Sequence, residues 1–313
     1  MSQNMPIQAP LSRTKKPGQF RRELPLHLML VPGVIFLIIF SYIPIGGLAI
    51  GFQRYIPAKG ISGSAWVGLG NFRYLMSLPD VYQVMFNTVF IASMKIVAGI
   101  VVPVVFSLLL NEIRCKPFKR IAQTVIYMPY FLSWIVLSGV IIDILSPSDG
   151  IVGQFLASLG IEPIFFLADE NWFPYIMVIT DVWKNFGFAT IVYLAALTSI
   201  DPTYYEAAII DGANRWKQTI YVTLPGIAPI VMLMTTLALG NVLNAGFDQI
   251  FNLYSPAVYR TGDIIDTMIY RMGIVDANFG VATAMGIFSS FVSLIFVSIS
   301  YLLAYRLSGY RVF

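Results

Sequence analysis

The side chains that could carry chemistry are few in this sequence, and several of them stand inside long apolar stretches. Histidine and cysteine occur once each, as His27 and Cys115. The sequence therefore predicts no histidine-based catalysis, no disulfide within the chain and no thiolate metal site. The acids in or near apolar stretches are Asp143, Asp181 and Asp248, and an enzyme within a membrane would need more convergent groups than these. We expect no catalytic residue and no bound metal.

Two lysines, Lys95 and Lys184, lie within apolar stretches. A lysine at the centre of a bilayer costs roughly 2.5–3.5 kcal/mol on insertion scales, so each should face the interior of a bundle or a wet cavity. Asp181 precedes Lys184 by three residues and can pair with it on one helix face. Mutual neutralisation is one interpretation; the other is that Asp181, Lys184 and the adjacent Asn185 line a path for a solute. For Lys95, an inter-helix tether would serve equally well.

A second polar stripe is formed by Asn241, Asn244 and Asp248. Their spacings of three and four residues would place them on one face of a helix. Amides and carboxylates are groups that bind sugar hydroxyls by hydrogen bonds. Hydrogen bonding between helices of a bundle is the alternative use of such a stripe.

The elements that must position these residues are transmembrane helices. Hydrophobic residues make up 57% of the 313 residues and charged residues only 12%, whereas soluble domains carry roughly a quarter charged residues. Apolar runs near or above the roughly 20 residues that span a bilayer recur at about 26–50, 84–110, 121–145, 174–198, 227–247 and 279–305. The predicted fold class is an all-α integral membrane protein with six transmembrane helices.

The distribution of basic residues predicts how these helices are oriented. The polar arm 1–25, the turn 111–120 and the loop 199–226 are rich in lysine and arginine. By the positive-inside rule they lie on the cytoplasmic side, and both termini lie there as well. The first apolar run is long enough to be retained as a helix instead of being cleaved as a signal peptide. The domain prediction is an arm 1–25, a six-helix transmembrane body 26–306 that includes loop 199–226, and a tail 307–313.

The loop 199–226 has a sequence typical of two short helices joined by a turn. Asp201 and Pro202 form a good helix start, a capping carboxylate followed by proline at the first helical position. Helix-forming residues follow from Glu206, and Gly212 permits a turn. Pro225 suits the beginning of the fifth span. A rigid protrusion of this kind on the cytoplasmic surface would suit docking into a groove of another protein.

The residues of this loop also resemble a known family. Glu206-Ala207-Ala208, Gly212 and Leu224-Pro225 closely match the EAA loop of ABC importer permeases, with Val222 where the family favours isoleucine. The string EAAIIDGANRW and the closing TLPGIAP resemble the carbohydrate-uptake, maltose-permease-like branch. Matches to the oligosaccharide and polysaccharide-fragment subgroup, of aldouronate and alginate type, extend along the chain. They are Asn111-Glu112, Trp183-Lys184-Asn185 with Gly187-Phe188, and Gly246-Phe247-Asp248-Gln249.

This resemblance implies a type I ABC importer permease in a bacterial cytoplasmic membrane, passing an oligosaccharide by ATP-driven alternating access. The implied partners are a second homologous permease, a cytoplasmic ATPase dimer and an extracytoplasmic solute-binding protein. The residues that would couple this chain to the ATPase are Glu206, Ala207, Ala208, Asp211, Gly212, Leu224 and Pro225. The chain has no GxxxxGK[ST] phosphate loop, so ATP and Mg²⁺ would be used by the ATPase and no cofactor is expected on this chain.

Another class of transporter is compatible with apolar spans that carry embedded charges. A secondary transporter driven by an ion gradient often has broken helices and membrane-embedded carboxylates. The loop 199–226 argues against that reading, and the dependence of transport on ATP distinguishes the two classes.

Overall fold

The computed structural model describes residues 19–240 and 242–308 and is almost entirely helical. The chain forms two compact units, one up to Ala49 and one from Ile50 onward. In the first unit, helix α1 runs over Gln19–Leu37 and contains Pro25 and Pro32. A π-helical turn at Ile38–Tyr42 and a 3₁₀-helix at Ile43–Phe52 continue it. Residues 1–18 of the predicted arm 1–25 lie outside the described residues. Helix α1 begins at Gln19, within the predicted arm.

The second unit begins with a small hairpin-like layer. Strands β1 (Gln53–Arg54) and β2 (Ala65–Trp66) pair antiparallel, with Gln53 opposite Trp66. The 3₁₀ turn Pro57–Lys59 and helix α2 (Gly60–Gly63) connect them, and α3 (Gly70–Ser77) follows. Asn71 of α3 holds this layer because its Nδ2 donates to the carbonyls of Gly51 and Gln53, each at 2.9 Å.

Two long helices, α4 (Asp80–Glu112) and α8 (Phe173–Thr198), pack along each other at the centre of this unit. Their sequences are apolar on most sides, as expected of helices buried in a bundle or in lipid. The largest core cluster lies beside them, with Ile91 of α4 and Met177 of α8 fully buried.

The predicted third span is two helices instead of one. Helix α5 (Lys116–Tyr127) and the 3₁₀ turn Met128–Phe131 are followed by α6 (Trp134–Leu145), and the two arms differ in direction by 106°. Pro129 cannot donate a backbone hydrogen bond and disfavours helix at the preceding residue, which accounts for the interruption. Helix α7 (Ile151–Ser158) follows the second arm.

The predicted pair of short helices in loop 199–226 is confirmed. Helix α9 (Pro202–Ile210) is bent by 68° from α8, and α10 (Arg215–Gln218) follows after a turn. A π-helical turn at Thr219–Thr223 leads directly into α11 (Leu224–Leu239). The fifth span was predicted to reach residue 247, but α11 ends eight residues earlier, at Leu239.

The remaining elements are a segment of short helices over residues 247–278 and a last long helix. They are α12 (Phe247–Leu253), the 3₁₀ turn Pro256–Val258, α13 (Tyr259–Gly262), α14 (Ile265–Tyr270), the π-helical turn Arg271–Val275 and α15 (Phe279–Ser308). Helix α4 fastens this segment: Asn87 Nδ2 donates to the carbonyls of Arg260 and Asp263 at 3.0 and 3.1 Å.

Within the part of the chain that the structure describes, four helices are long and apolar enough to cross a membrane, and the number rises to six if each bent pair is one span. The four are Leu24–Phe52, Asp80–Glu112, Arg215–Leu239 and Phe279–Ile299; the pairs are Lys116–Phe131 with Trp134–Leu145 and Phe173–Thr198 with Pro202–Ile210. Large apolar side chains are exposed along all four, as lipid-facing helices require. The predicted all-α membrane class is confirmed; the count of six and the cytoplasmic placement of both termini stay predictions.

Candidate functional site

A cavity of about 410 Å³ lies between α4, α8, α11 and the turn at residues 242–246. Its volume falls within the range of roughly 300–1,000 Å³ typical of small-molecule sites. Most of its wall is apolar, with Ile96, Val192 and Met234 among the lining residues. The polar side chains in the wall are those of Lys95, Asp181, Tyr193 and Asn244. Such a wall can orient a polar solute through a small number of hydrogen bonds.

Lys95 is the centre of a buried polar network at this cavity. Its Nζ donates to the Ala245 carbonyl oxygen at 2.7 Å and to Gln249 Oε1, and lies 3.6 Å from Asp181 Oδ1. The side chain of Lys95 is only 9% exposed, whereas that of Asp181 is 23% exposed. A buried ammonium is tolerated in a bundle when it is paired and hydrogen-bonded in this way. The prediction of an inter-helix tether at Lys95 is therefore confirmed, and Lys95 also lines the cavity.

Gln249 extends the network to a third helix. Its Nε2 donates to the carbonyl of Met177 at 2.8 Å and to Thr180 Oγ1 at 2.7 Å, and the residue is fully buried. The network thus joins α4, α8 and α12. The sequence assigned no role to Gln249; the available signal was a glutamine directly before the apolar pair Ile250-Phe251, since a buried glutamine requires hydrogen-bond partners.

The ion pair between Asp181 and Lys184, one of the two interpretations of their spacing, is not among the contacts of the described residues. Lys184 Nζ donates to the carbonyls of Tyr130 and Leu132 at 2.9 and 2.6 Å. It also lies 5.6 Å from the ring centroids of Tyr130 and Trp134. Lys184 therefore donates to carbonyl groups at the break of the third span, where the regular backbone hydrogen bonds of a helix are interrupted. Asp181 pairs with Lys95 on α4 instead, because the long-range packing of α4 on α8 brings these two residues together.

The single helical face proposed for Asn241, Asn244 and Asp248 is not formed by the two of them that the structure describes, Asn244 and Asp248. Helix α11 ends at Leu239, before Asn244, and Gly246 has φ of +93°, a left-handed conformation that glycine adopts readily. Asn244 lies in the turn, is exposed, and its Oδ1 accepts from the Gly246 N–H at 3.2 Å. Asp248 lies in the first turn of α12 and is exposed. Asn241 lies outside the described residues.

Of the predicted path residues, Asp181 and Asn244 line the cavity, and Lys184, Asn185 and Asp248 stand apart from its described wall. Asn185 is half-buried on α8 beside Lys184. In this cavity the structure thus brings together the acid Asp181, the amide Asn244 and the lysine Lys95, from three separate parts of the chain. Their roles in solute passage stay predictions.

The loop 199–226 is held in shape by its own backbone. Asp201 caps α9, accepting from the Thr203 N–H at 2.9 Å, and this hydrogen bond lowers the pKa of the Asp201 carboxyl. At the other end, the N–H groups of Gly212 and Ala213 donate to the carbonyls of Ile209 and Ala208 at 3.0 and 2.8 Å. This is a Schellman ending, and Gly212 occupies its left-handed position with φ of +75°.

The surface of this loop is unusually apolar for a solvent-facing segment. Ile210 is 85% exposed, and Tyr204, Ile209, Trp216 and Tyr221 are more than half exposed. The predicted coupling residues Glu206, Ala207, Asp211, Gly212 and Pro225 are exposed, Leu224 is exposed at 38%, and Ala208 is half-buried. A contiguous exposed surface of this kind, with a carboxylate among apolar side chains, is typical of a protein–protein docking site.

A brace connects this surface to the membrane helices. The hydroxyls of Tyr205 on α9 and Thr223 are 3.0 Å apart and share a hydrogen bond. Thr223 immediately precedes α11, and the span from Arg215 to Leu239 runs as one helix through the π-helical turn. Because α11 contributes Met234 and Ala238 to the cavity wall, one continuous helix joins the loop to the cavity.

A separate ion pair, with a buried carboxylate, stabilises the segment 247–278. Arg271 contacts Asp263 through two hydrogen bonds, at 3.2 and 2.5 Å, and lies 4.6 Å from the ring centroid of Tyr259. Burial lowers the pKa of Arg271, but its contacts with Asp263 outweigh burial and raise that pKa overall. Burial, together with the neighbouring Tyr259, raises the pKa of Tyr254 to about 12. These groups have a structural role and keep their ordinary charge states.

The fold, the membrane-embedded cavity and the exposed loop define a membrane transport subunit. The chain belongs to the family of binding-protein-dependent transport system inner membrane components, whose model matches residues 95–309. The family resemblance seen in the loop is thereby confirmed, and with it the assignment to a multi-pass membrane protein.

Relatives with known systems cover most of the chain. It is 37% identical over 279 residues to the polygalacturonan/rhamnogalacturonan transport system permease protein YteP of Bacillus subtilis (strain 168), covering 89% of this chain and 87% of YteP. It is 28% identical over 296 residues to the arabinooligosaccharides transport system permease protein AraP of the same organism, covering 93% of this chain and 90% of AraP.

A solved structure also matches closely. A chain in the crystal structure of a bacterial alginate ABC transporter, in complex with an alginate pentasaccharide-bound periplasmic protein, superimposes with a TM-score of 0.86. That chain is 35% identical, and the match covers 94% of this chain and 98% of the other. The fold described above is therefore that of an ABC importer permease.

Proposed function

We propose that this chain is the permease subunit that passes an oligosaccharide or a polysaccharide fragment across the membrane in an ATP-driven importer. The observation that carries the proposal is the continuous helix from Arg215 to Leu239, which joins the exposed loop to the wall of the cavity. The sugar cargo is supported by the relatives, which are permeases of polygalacturonan/rhamnogalacturonan and arabinooligosaccharide systems, and by the alginate transporter.

The proposed partner at the loop is a cytoplasmic ATPase. Its groove would receive α9, with Glu206, Ala207 and Ala208 facing the ATPase and Gly212 completing the turn. ATP and Mg²⁺ would be bound and used by that partner. A second homologous permease and an extracytoplasmic solute-binding protein would complete the importer, and large apolar surfaces exposed along the membrane helices leave room for the second permease.

The proposed mechanism is alternating access driven from the loop. Closure of the ATPase pair would displace α9 and α10, and the Tyr205–Thr223 hydrogen bond would carry that displacement into α11. The cavity wall formed by α11 would then move relative to α4 and α8, which opens the cavity to the other side. Asp181 and Asn244 would bind cargo hydroxyls while the cavity is occupied.

The test is uptake of a radiolabelled oligogalacturonate into vesicles that contain the complete importer with its binding protein. We expect uptake with ATP on the ATPase side and none with a non-hydrolysable ATP analogue, even when a proton or sodium gradient is imposed. Uptake driven by the gradient without ATP would contradict the proposal and establish an ion-driven secondary transporter. ATP-dependent uptake of a different solute, with oligosaccharides refused, would overturn only the proposed cargo.

A further inference from the structure

The ammonium group of Lys95 is engaged inside the protein by two hydrogen bonds and one ion pair. An ammonium group has three N–H donors and no acceptor. Two of these donors bind the Ala245 carbonyl at 2.7 Å and Gln249 Oε1, and Asp181 Oδ1 lies 3.6 Å from Nζ as the counterion. The side chain of Lys95 is 9% exposed, so these partners surround most of it. The positive charge is also compensated, because Asp181 is its neighbour.

The polar groups that do face the cavity are of a different kind. Asp181 is more exposed than Lys95, at 23%, and it contacts Lys95 through Oδ1. Asn244 accepts from the Gly246 N–H through Oδ1, which leaves the donors of its amide for a solute. An acceptor beside a donor matches a sugar hydroxyl, which both donates and accepts. Because Asp181 is paired with Lys95, this part of the wall carries no net charge that would favour or disfavour the carboxylate of an acidic sugar.

The geometry points to Lys95 as a positioning residue of this cavity. Its ammonium group does not bind the cargo and does not distinguish a charged cargo from a neutral one. Lys95 holds the turn 242–246 through Ala245 and Gln249, and it holds Asp181 through the ion pair. It thereby contacts both Asp181 and the turn that carries Asn244, the two proposed hydroxyl-binding groups in the wall of the same cavity. The corresponding specificity is that sugar hydroxyls are bound here and that neutral and acidic sugars of equal length are treated alike.

Lys184 provides the natural comparison. It too is a buried lysine on a membrane helix that donates to backbone carbonyls at a helix break, those of Tyr130 and Leu132. Its break is that of the third span, and Lys184 does not belong to the described wall of the cavity. The exchange Lys184→Met therefore removes a similar charge and similar hydrogen bonds without touching the turn 242–246.

The first experiment measures the turn itself and requires no cargo. A nitroxide is attached at Asn244→Cys in a Cys115→Ser background of the full chain, assembled with its partners, and its mobility is recorded by electron paramagnetic resonance. Lys95→Met should increase the mobility of the label, because the Ala245 carbonyl and Gln249 lose their shared donor. Lys184→Met should leave the mobility unchanged. Unchanged mobility in Lys95→Met would overturn the positioning role.

The second experiment tests the cargo and rests on the proposed function. The half-saturating concentration for stimulated ATP turnover is compared between trigalacturonate and its neutral methyl ester, for the parent chain and for Lys95→Met. The binding protein is the same in both, so its own preference cancels in the ratio of mutant to parent. We expect a rise of about fivefold or more, equal for both sugars, with the maximal turnover retained.

A loss confined to the charged sugar would overturn the inference, because Lys95 would then bind the cargo carboxylate. If Lys95→Met does not assemble, Lys95→Arg replaces it: an arginine fork cannot reproduce the three contacts, so both sugars should again be affected equally. Retention of only the charged sugar by Lys95→Arg would contradict the inference. Stimulation of the parent by neither sugar would refute the proposed cargo, and the label mobility at residue 244 would still decide the positioning role.

Discussion

At the scale of single residues, the membrane region is governed by how each buried charge is satisfied. Lys95 has an acid, an amide and a carbonyl as partners, whereas Lys184 has two carbonyls and two aromatic rings. Both arrangements offset a desolvation cost that would otherwise keep a lysine out of the bilayer. Asp181, between them in the fold, is the acid that keeps the cavity wall electrically neutral.

Removal of this acid should therefore be costly. In Asp181→Asn, the Lys95 ammonium stays buried without its counterion, and loss of one partner of a buried pair typically costs 3–5 kcal/mol. Since Asp181 partly faces the cavity, we expect about 3 kcal/mol, measured as a lower free energy of unfolding in detergent.

The matched control is Glu112→Gln, which removes the partner of Arg215 in an ion pair with side chains 59% and 69% exposed. Exposed pairs contribute about 0–1 kcal/mol, so this variant should unfold almost as the parent does. Equal losses in both variants would contradict the special role of the Lys95–Asp181 pair.

At the scale of elements, the interruption of the third span determines how α8 packs against it. The third span breaks at Pro129, and α8 packs directly on this break. A Cβ atom added to Gly187 would collide with the carbonyl group of Ile126, so the absence of a side chain at residue 187 permits the contact. Phe188 stacks on Tyr130, with ring centroids 4.3 Å apart, beside the contacts of Lys184.

Gly187→Ala should consequently destabilise the chain. Backbone must move to accept the methyl group, and overpacking of this kind costs about 1–3 kcal/mol. In Gly139→Ala, on α6, nothing lies within 4 Å of the added atom, and the gain in helix propensity should leave stability equal or higher by about 0.5 kcal/mol. Thermal unfolding of both variants checks this; equal midpoints would show that α8 does not depend on close contact at residue 187.

The sequence predicted the positions of the helices better than the contacts between their residues. Hydropathy located the apolar spans, and Pro202, Gly212 and Pro225 marked the two short helices of the loop because capping and turn chemistry are local. Gly240 and Asn241, directly after Leu239, are a local signal for the end of a helix, but the apolar Val242 and Leu243 continue the run. The polar stripe was consequently placed on a helix that does not continue. The pairing of Asp181 with Lys95 depends on the packing of α4 against α8, which residue spacing within one helix cannot reveal.

At the scale of the whole molecule, the cavity and the loop are connected parts of one transport subunit. The family fixes the class of the protein, and in the proposed mechanism the continuous helix Arg215–Leu239 would supply the mechanical link between the loop and the cavity. The central claim is that the loop built on α9 is the docking surface for an ATPase. It can be tested through Gly212, whose left-handed conformation sets the ending of α9.

The most direct measurement is capture of the ATPase by affinity-purified chain in mild detergent, for the parent, Gly212→Ala and Gly68→Ala. Both glycines are left-handed, with φ of +75° and +57°, and have nothing within 4 Å of an added Cβ. Each exchange should therefore cost about 1 kcal/mol of stability. We predict that only Gly212→Ala loses the ATPase. Equal capture by both variants, at equal stability, would contradict the account.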